Sequence, residues 1–366
     1  MIDKEFKMPF YAKTTIILIG IFVLVAILYI AQDIIVPIVF STIMAILILP
    51  VVNFFIRRRI NRIIAILITL LLTFIIIIAF CVLMYSQIIR FSDSWPLLVD
   101  KFTLLINQTI NWISGYFDIN QQNILDWIAK TKKELLNMSG NTIGQTLLTL
   151  GNWIIVIFLI PVYMFLILFY KPLILEVIHK LFGASHQSHL SVVITQIKTL
   201  IQRYLLGLVI EFVIVSVLNV TALLILGVDY AILLGILGGL LNVIPYIGGL
   251  IAVALPMIVA LTTKTTAWYA FYVLAAYYFI QIIDNNYIVP KIVASKVKIN
   301  ALFSIIAVFV GNAVWGVTGM FLSIPLLAII KLIFDHIEPL KPWGLLLGDT
   351  MPHILKLKLK FKKVKL

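Results

Sequence analysis

The sequence predicts an all-α polytopic membrane protein, and three observations support this fold class. Hydrophobic residues make up 63% of the 366 positions and charged residues only 12%, too little polar surface for a water-soluble globule of this size. The hydrophobic residues fall in runs that match the roughly 20 residues a spanning helix needs. Two further apolar segments are each interrupted by an Asn and several glycines. We therefore predict about eight transmembrane segments, including two broken, re-entrant helical hairpins.

Six uninterrupted apolar runs predict the spanning helices, at residues 14–31, 34–56, 63–85, 147–170, 204–226 and 267–283. The first run follows a basic region, as a signal peptide would, but it is longer than a usual signal core and leads straight into the second. We therefore predict that it is retained as a span. The chain divides into N-terminal helices (1–86), an extracytoplasmic insert (87–146), a fourth helix with a linker (147–203), a transport core (204–338) and a basic tail (339–366).

The broken segments, residues 232–261 and 302–331, predict the functional centre. Each arm offers about 13 to 15 apolar residues, too few to cross a bilayer alone. Broken helices at membrane depth are tolerated where they are buried in protein or line a wet cavity, as in transporters. The spacing from Asn242 to Gly249 equals that from Asn312 to Gly319. Two hairpins of opposite orientation would form an inverted repeat suited to alternating access.

The region 87–146 is polar but carries a helical apolar stripe that begins at Leu98, Phe102 and Leu105. This pattern predicts amphipathic helices outside the membrane, packed on one another, on the outer leaflet or on a neighbouring subunit. The tail 353–366 alternates apolar residues with lysines, which favours adhesion to an anionic leaflet or disorder.

The net charge of +13 lies mostly in short segments between apolar runs, which indicates topology determinants rather than a nucleic-acid interface. Lys and Arg of the N-terminus, the 57–62 cluster, the 171–203 stretch, the 291–298 loop and the tail all fall on one side. By the positive-inside rule that side is the cytoplasm. We therefore predict a protein of the cytoplasmic (inner) membrane with both termini in the cytoplasm.

Glu211 is the clearest candidate for chemistry, because it stands within the apolar run 205–226. A charge at the bilayer centre costs a few kcal/mol on insertion scales, so its carboxyl must face a partner, a cavity or a proton. The sequence leaves two interpretations open, a proton or cation site and a neutral, hydrogen-bonded structural carboxyl.

Gln281, Asp284, Asn285 and Asn286 form a second polar cluster, at the predicted end of the span 267–283. Such side chains can coordinate a desolvated polar solute or Na⁺, although a wet helix end with capping side chains has the same pattern. Asn242 and Asn312 are predicted at the hairpin tips, where helix termini present partial charges to a ligand. Nearby glycines, Gly248, Gly249, Gly316 and Gly319, would allow the tight reversal.

The sequence does not support an enzyme, a cofactor or a metal site. It has no Walker loop, dinucleotide fingerprint or nucleophile elbow in a suitable context. His179, His186 and His189 follow one another without a visible fourth ligand for zinc.

Three motifs in combination resemble the autoinducer-2 exporter family, also called PerM-type permeases. They are LNVIPYIGG at 241–249, QIIDNNYIVPK at 281–291, and GVTG at 316–319 followed by Pro325. The resemblance covers nearly the whole chain and implies about eight transmembrane segments, an extracytoplasmic helical insert and a homo-oligomer. It also implies transport, since members have been linked to export of the signalling molecule autoinducer-2 and others to Na⁺(Li⁺)/H⁺ exchange. Glu211 departs from the family pattern, in which this span is often uncharged, and this favours ion coupling.

We therefore expect a secondary transporter of a small polar solute, such as a signalling molecule, coupled to a proton or monovalent cation. The alternatives are a Na⁺(Li⁺)/H⁺ antiporter and a non-transporting membrane scaffold. The predicted substrate or ion site comprises Glu211, Asn242, Pro245, Gly248, Gly249, Gln281, Asp284, Asn285, Asn286, Asn312, Gly316 and Gly319.

Overall fold

The computed structural model of the protein describes residues 9–114, 130, 142–181, 187–244, 248–293 and 298–349. Every regular element in these ranges is helical, which confirms the predicted all-α class. The helices are α1 (Phe10–Ile30), α2 (Gln32–Arg57), α3 (Arg62–Ser114), α4 (Thr142–Leu181), α5 (Gln187–Ile225), α6 (Ala231–Asn242), α7 (Gly248–Thr263), α8 (Trp268–Ile283), α9 (Ala301–His336) and α10 (Lys341–Leu347). A π-helical segment, Asp284–Val293, follows α8, and a short 3₁₀ turn, Glu338–Leu340, precedes α10.

Six helices within the described ranges are long and apolar enough to cross a membrane. They are α1, α2, α3, α4, α5 and α9, and the shorter α6 and the 251–263 stretch of α7 are also apolar. This number of long apolar helices indicates an integral membrane protein with several transmembrane spans. Helix α1 fully buries no residue within the chain, so most of its apolar surface faces outward.

Helix α3 is longer than the predicted span 63–85. It runs for 53 residues, about 80 Å at 1.5 Å per residue, so the span and the first part of the insert are one helix. Beyond the apolar run, Leu98 is buried in one cluster with Leu223 of α5 and Leu234 of α6. The Tyr230 hydroxyl donates a hydrogen bond to Oγ of Ser94 at 2.5 Å. This part of the insert therefore packs on the core of its own chain, whereas 115–129 and 131–141 lie outside the described residues.

Two prolines inside the long helices, Pro50 and Pro172, free carbonyl oxygens that accept hydrogen bonds from side chains of other helices. Pro50 has no N–H to donate to the carbonyl four residues earlier, and Nε2 of Gln202 donates to that oxygen, Ile46 O, at 2.8 Å. Pro172 likewise cannot donate to Leu168 O, and Nη2 of Arg62 donates a hydrogen bond to that oxygen at 2.6 Å. Each proline thus creates an attachment between two helices.

The first broken segment consists of α6 and α7, which pack against each other. Helix α6 has 12 residues, about 18 Å, well short of the roughly 30 Å of a hydrocarbon core. Gly248, where α7 begins, is buried so close to the backbone of Leu241 that a Cβ atom would collide with it. The chain therefore turns sharply between Asn242 and Gly248, and α6 and α7 pack against each other. Pro245 lies outside the described residues.

The second broken segment is α9, which is interrupted at Trp315 and Gly316. Gly316 has φ 59° and ψ −142°, a conformation essentially restricted to glycine. Gly311 and Gly319 would be about 12 Å apart along a straight helix, yet a Cβ on either would strike the carbonyl of the other. The chain therefore reverses here, and Nε1 of Trp315 donates to the carbonyl of Leu28 in the last turn of α1, at 2.9 Å.

The α-helical part of the span 267–283 ends at Ile283, as predicted, but the chain continues as a helix beyond it. The helix continues in π form to Val293, and Asp284 is only 1% exposed, so it lies inside a longer helix rather than at a wet end. The π-helix is rare in proteins and is frequently found at functional sites. Within this segment Asp284 and Asn285 line the cavity described next, whereas Asn286 is exposed.

Candidate functional site

A cavity of about 540 Å³ lies among α5, the tips of the first hairpin, α8, the π-helical segment and α9. This volume lies within the range of small-molecule sites, which are mostly apolar with a few convergent polar groups. Helix α5 is central, since it packs against α2, α6, α8, α9 and the π-helical segment. The polar side chains of the wall are Tyr204, Glu211, Asn242, Tyr277, Tyr278, Gln281, Asp284, Asn285 and Ser304.

Two buried carboxylates meet at one amide in this cavity. Nδ2 of Asn242 donates to Oδ2 of Asp284 at 2.9 Å and lies 3.3 Å from Oε1 of Glu211. Because both oxygens are bound to the same nitrogen, they lie within about 6 Å of each other. Glu211 is 5% exposed, and neither carboxylate has an ion-pair partner among the described residues. Two unpaired negative charges at this distance repel each other, and a proton or a cation between them would remove the repulsion.

Helical spacing explains which side chains reach the cavity. Tyr204, Leu208 and Glu211 are four and three residues apart, so they share one face of α5. Tyr277 and Gln281 share a face of α8 in the same way. Asn242 is the last residue of α6, where the chain turns and an amide side chain can point away from the helix.

Four buried polar atoms in and beside the cavity have no hydrogen-bond partner within the described part of the chain. They are Oδ1 of Asp284, the hydroxyl of Tyr277, Oδ1 of Asn219 and Oγ of Ser216. Asn219 and Tyr277 both lie against Gly238, and Ser216 against Gly239, so they follow one seam between α5, α6 and α8. Buried polar groups are normally paired, so unpaired ones at a cavity are suited to a polar ligand or water.

The structure brings half of the predicted site residues to this cavity. Glu211, Asn242, Gly249, Gln281, Asp284 and Asn285 line it. A Cβ on Gly249 would collide with the side chain of Gln281, whose Nε2 lies 3.5 Å from Oδ2 of Asp284, so the glycine makes room for this contact.

The other predicted residues lie elsewhere. Gly248 is buried at the hairpin turn, and Asn286 is exposed, with its Nδ2 donating to the carbonyl of Ile282 at 2.8 Å. Asn312, Gly316 and Gly319 form the tip of the second hairpin and do not line the cavity, to which that hairpin contributes Ser304 and Ile324 instead.

Sequence reasoning missed the tyrosines and Ser304. Tyr204 is seven residues before Glu211, and Tyr277 is four before Gln281 and seven before Asp284. These helical spacings from the predicted carboxylates would have identified both tyrosines as members of the same faces.

Comparison with known proteins agrees with this architecture. Residues 17–338 match the model of a family described as AI-2E family transporter. A putative transport protein of Bacillus subtilis, YrrI, is 22% identical over 313 residues, which cover 83% of this chain and 87% of that protein. A putative transport protein of Haemophilus influenzae is 25% identical over 92% of this chain and 97% of its own length. The AI-2 transport protein TqsA of Escherichia coli is 30% identical over 34% of this chain and 36% of its own.

Proposed function

The chain belongs to the AI-2E family of transporters, and we propose that it is a secondary transporter that couples movement of a small polar solute to a proton or monovalent cation. The solute class follows from the family and from the relative named as an AI-2 transport protein, a carrier of a small signalling molecule. The cavity volume of about 540 Å³ suits a solute of that size.

The observation that carries the coupling proposal is the pair Glu211 and Asp284, joined by the amide of Asn242. Hard monovalent cations prefer oxygen ligands, and this pair presents carboxylate oxygens together with the amide of Gln281 and the hydroxyl of Tyr277. Oδ1 of Asp284 is buried and unpaired within the described residues, so it is the atom best suited to receive the ion.

The two hairpins would supply alternating access. The first hairpin holds Asn242 against the carboxylates, and the second contributes Ser304 and Ile324 to the opposite wall. A small displacement of either hairpin would change which end of the cavity is open, as in other transporters with discontinuous helices at the binding site. In this proposal both hairpins are re-entrant, and they enter the bilayer from opposite sides.

The proposed location is the cytoplasmic membrane, with both termini inside. The basic residues support this orientation, because Arg62 contacts Leu168 and lies beside Lys171 at one end of the helix bundle. The homo-oligomer that the resemblance implies stays a prediction, and α1, which fully buries no residue, offers a surface for a second subunit or for lipid.

A Na⁺(Li⁺)/H⁺ antiporter is the second candidate, and the carboxylate pair is the observation that favours it. Two carboxylates without a cationic partner among the described residues can exchange a proton for a cation without any other solute.

A counterflow screen in proteoliposomes tests the proposal. Small polar metabolites and monovalent cations are offered to the wild type, to Asn242→Ala and to Asn286→Ala. Asn286 is the matched control, because it is an exposed amide in the same region that does not line the cavity. We expect Asn242→Ala to lose the transport that wild type and Asn286→Ala retain; equal transport by all three proteins would refute the proposed site.

A further inference from the structure

A second cavity, of about 300 Å³, lies where α2 ends and α3 begins, on the flank of α4. Its walls come from the last turns of α2 (Asn53 and Ile56), the first residue of α3 (Arg62) and the stretch of α4 from Leu168 to Leu175. The predicted site and the carboxylate pair contribute nothing to it.

Two cations line this cavity and a third lies near one of them. Arg62 and Lys171 line it, and Lys198 of α5 is close enough for its charge to act on Lys171. Within the described ranges no Asp or Glu forms an ion pair with any of the three. Three neighbouring cations repel one another, so an anion bound among them would be stabilised.

One hydrogen bond positions the guanidinium of Arg62 and occupies only one of its nitrogen atoms. One guanidinium nitrogen, Nη2, donates to Leu168 O, the carbonyl freed by Pro172. A guanidinium has five N–H groups in a planar fork, a geometry that suits phosphate oxygens. Pro172 therefore orients Arg62 at the cavity and leaves further N–H groups for a ligand.

Apart from Asn53, the rest of the wall is apolar, as a lipid site requires. Leu49, Val52, Ile56 and Leu175 line it, and Ile56 is 37% exposed, so the apolar wall reaches the outer surface of the chain. A free phosphate ion would gain nothing from these side chains, whereas the glycerol and acyl groups of a phospholipid would bury apolar area on them.

We propose that this cavity binds the phosphate head group of an anionic phospholipid. Arg62 and Lys171 contact the phosphate, and the acyl chains lie along the outward face of α2 and α4. Basic pockets between spanning helices at a membrane surface recognise anionic head groups in this way. Because the bound lipid bridges α2, α3 and α4, it stabilises the N-terminal half of the bundle.

The experiment measures lipid binding to the purified full chain by native mass spectrometry. Phosphatidylglycerol is compared with phosphatidylcholine, and inorganic phosphate and glycerol 3-phosphate serve as soluble competitors. The test variants are Lys171→Gln, which removes one cation, and Asn53→Trp, which occupies part of the cavity without changing charge. Lys180→Gln is the control, because Lys180 lies on the same helix but is exposed and paired with Glu176 at 2.8 Å.

A cation at a membrane surface contributes about 1 kcal/mol, so Lys171→Gln should weaken phosphatidylglycerol binding about fivefold. Asn53→Trp should weaken it as well, because the larger side chain obstructs the head group, while Lys180→Gln and phosphatidylcholine binding should not change. Equal weakening by Lys180→Gln would show unspecific surface attraction and overturn the proposal. Displacement of the lipid by soluble phosphate at matched concentration would assign the cavity to a free anion instead, and unchanged binding in both test variants would also overturn it.

Discussion

Replacing Glu211 with Gln should weaken cation or proton binding at Asp284 without unfolding the protein. Gln keeps the size of the side chain and an oxygen that can accept from Nδ2 of Asn242, which lies 3.3 Å from Oε1 of Glu211. The substitution removes only one of the two negative charges that face each other in the cavity. The thermal midpoint of Glu211→Gln should therefore stay close to that of the wild type.

The distance between the carboxylates sets the expected size of the effect. Both oxygens lie within hydrogen-bonding distance of one nitrogen, so they are within about 6 Å of each other. Two unit charges at this distance interact by about 3 kcal/mol at an effective dielectric constant of about 20. Since about 1.4 kcal/mol is a factor of ten, Asp284 without Glu211 should bind the coupling ion about 100-fold more weakly.

The assay uses proteoliposomes that contain a pH-sensitive dye and receive pulses of Na⁺ or Li⁺ from outside. The cation concentration that gives a half-maximal response should rise about 100-fold in Glu211→Gln. Glu176→Gln is the matched control, because Glu176 is an exposed carboxylate on α4, paired with Lys180. An unchanged half-maximal concentration in Glu211→Gln, with normal folding, would refute the idea that the two carboxylates share an ion.

Two structural predictions follow from helix contacts. Gly319→Val should lower the thermal midpoint by an amount corresponding to about 1–3 kcal/mol and abolish transport, because its side chain would collide with the backbone of Gly311; a normal midpoint would contradict the close contact. Gln202→Leu should cost about 1–3 kcal/mol, because it leaves Ile46 O without a donor. Adding Pro50→Ala restores a backbone N–H, so the double variant should recover most of the loss in a thermal-unfolding experiment, and no recovery would refute this pairing.

The spans and the site carboxylates could be predicted because membrane insertion places a strong constraint on composition. A polar residue inside an apolar run, such as Glu211, stands out in the sequence because lipid would not tolerate it without a partner. The interruption after Asn242 is equally visible, since glycine and proline end the apolar periodicity. Local patterns of this kind identify individual residues, but they do not show which residues are in contact.

The contacts between these residues could not be predicted, because periodicity defines the faces of a helix but not which faces meet. Asn242 is 31 residues from Glu211 and 42 from Asp284 in the chain, and only packing of α6 against α5 and α8 brings them together. The π-helical segment was missed for a related reason. Its polar residues and Pro290 have the composition of a helix end, and only the cavity explains why they lie within a longer helix.

The most direct test of the central claim is to count carbodiimide adducts on Glu211 and Asp284. An apolar carbodiimide reacts with protonated carboxyl groups in apolar surroundings, and peptide mass spectrometry locates the product. Two carboxylates that share one proton should give at most one adduct per chain, on either residue, and Na⁺ or Li⁺ should protect both. Modification of both carboxyls in the same chain, or reaction at neither under any condition, would contradict the shared ion.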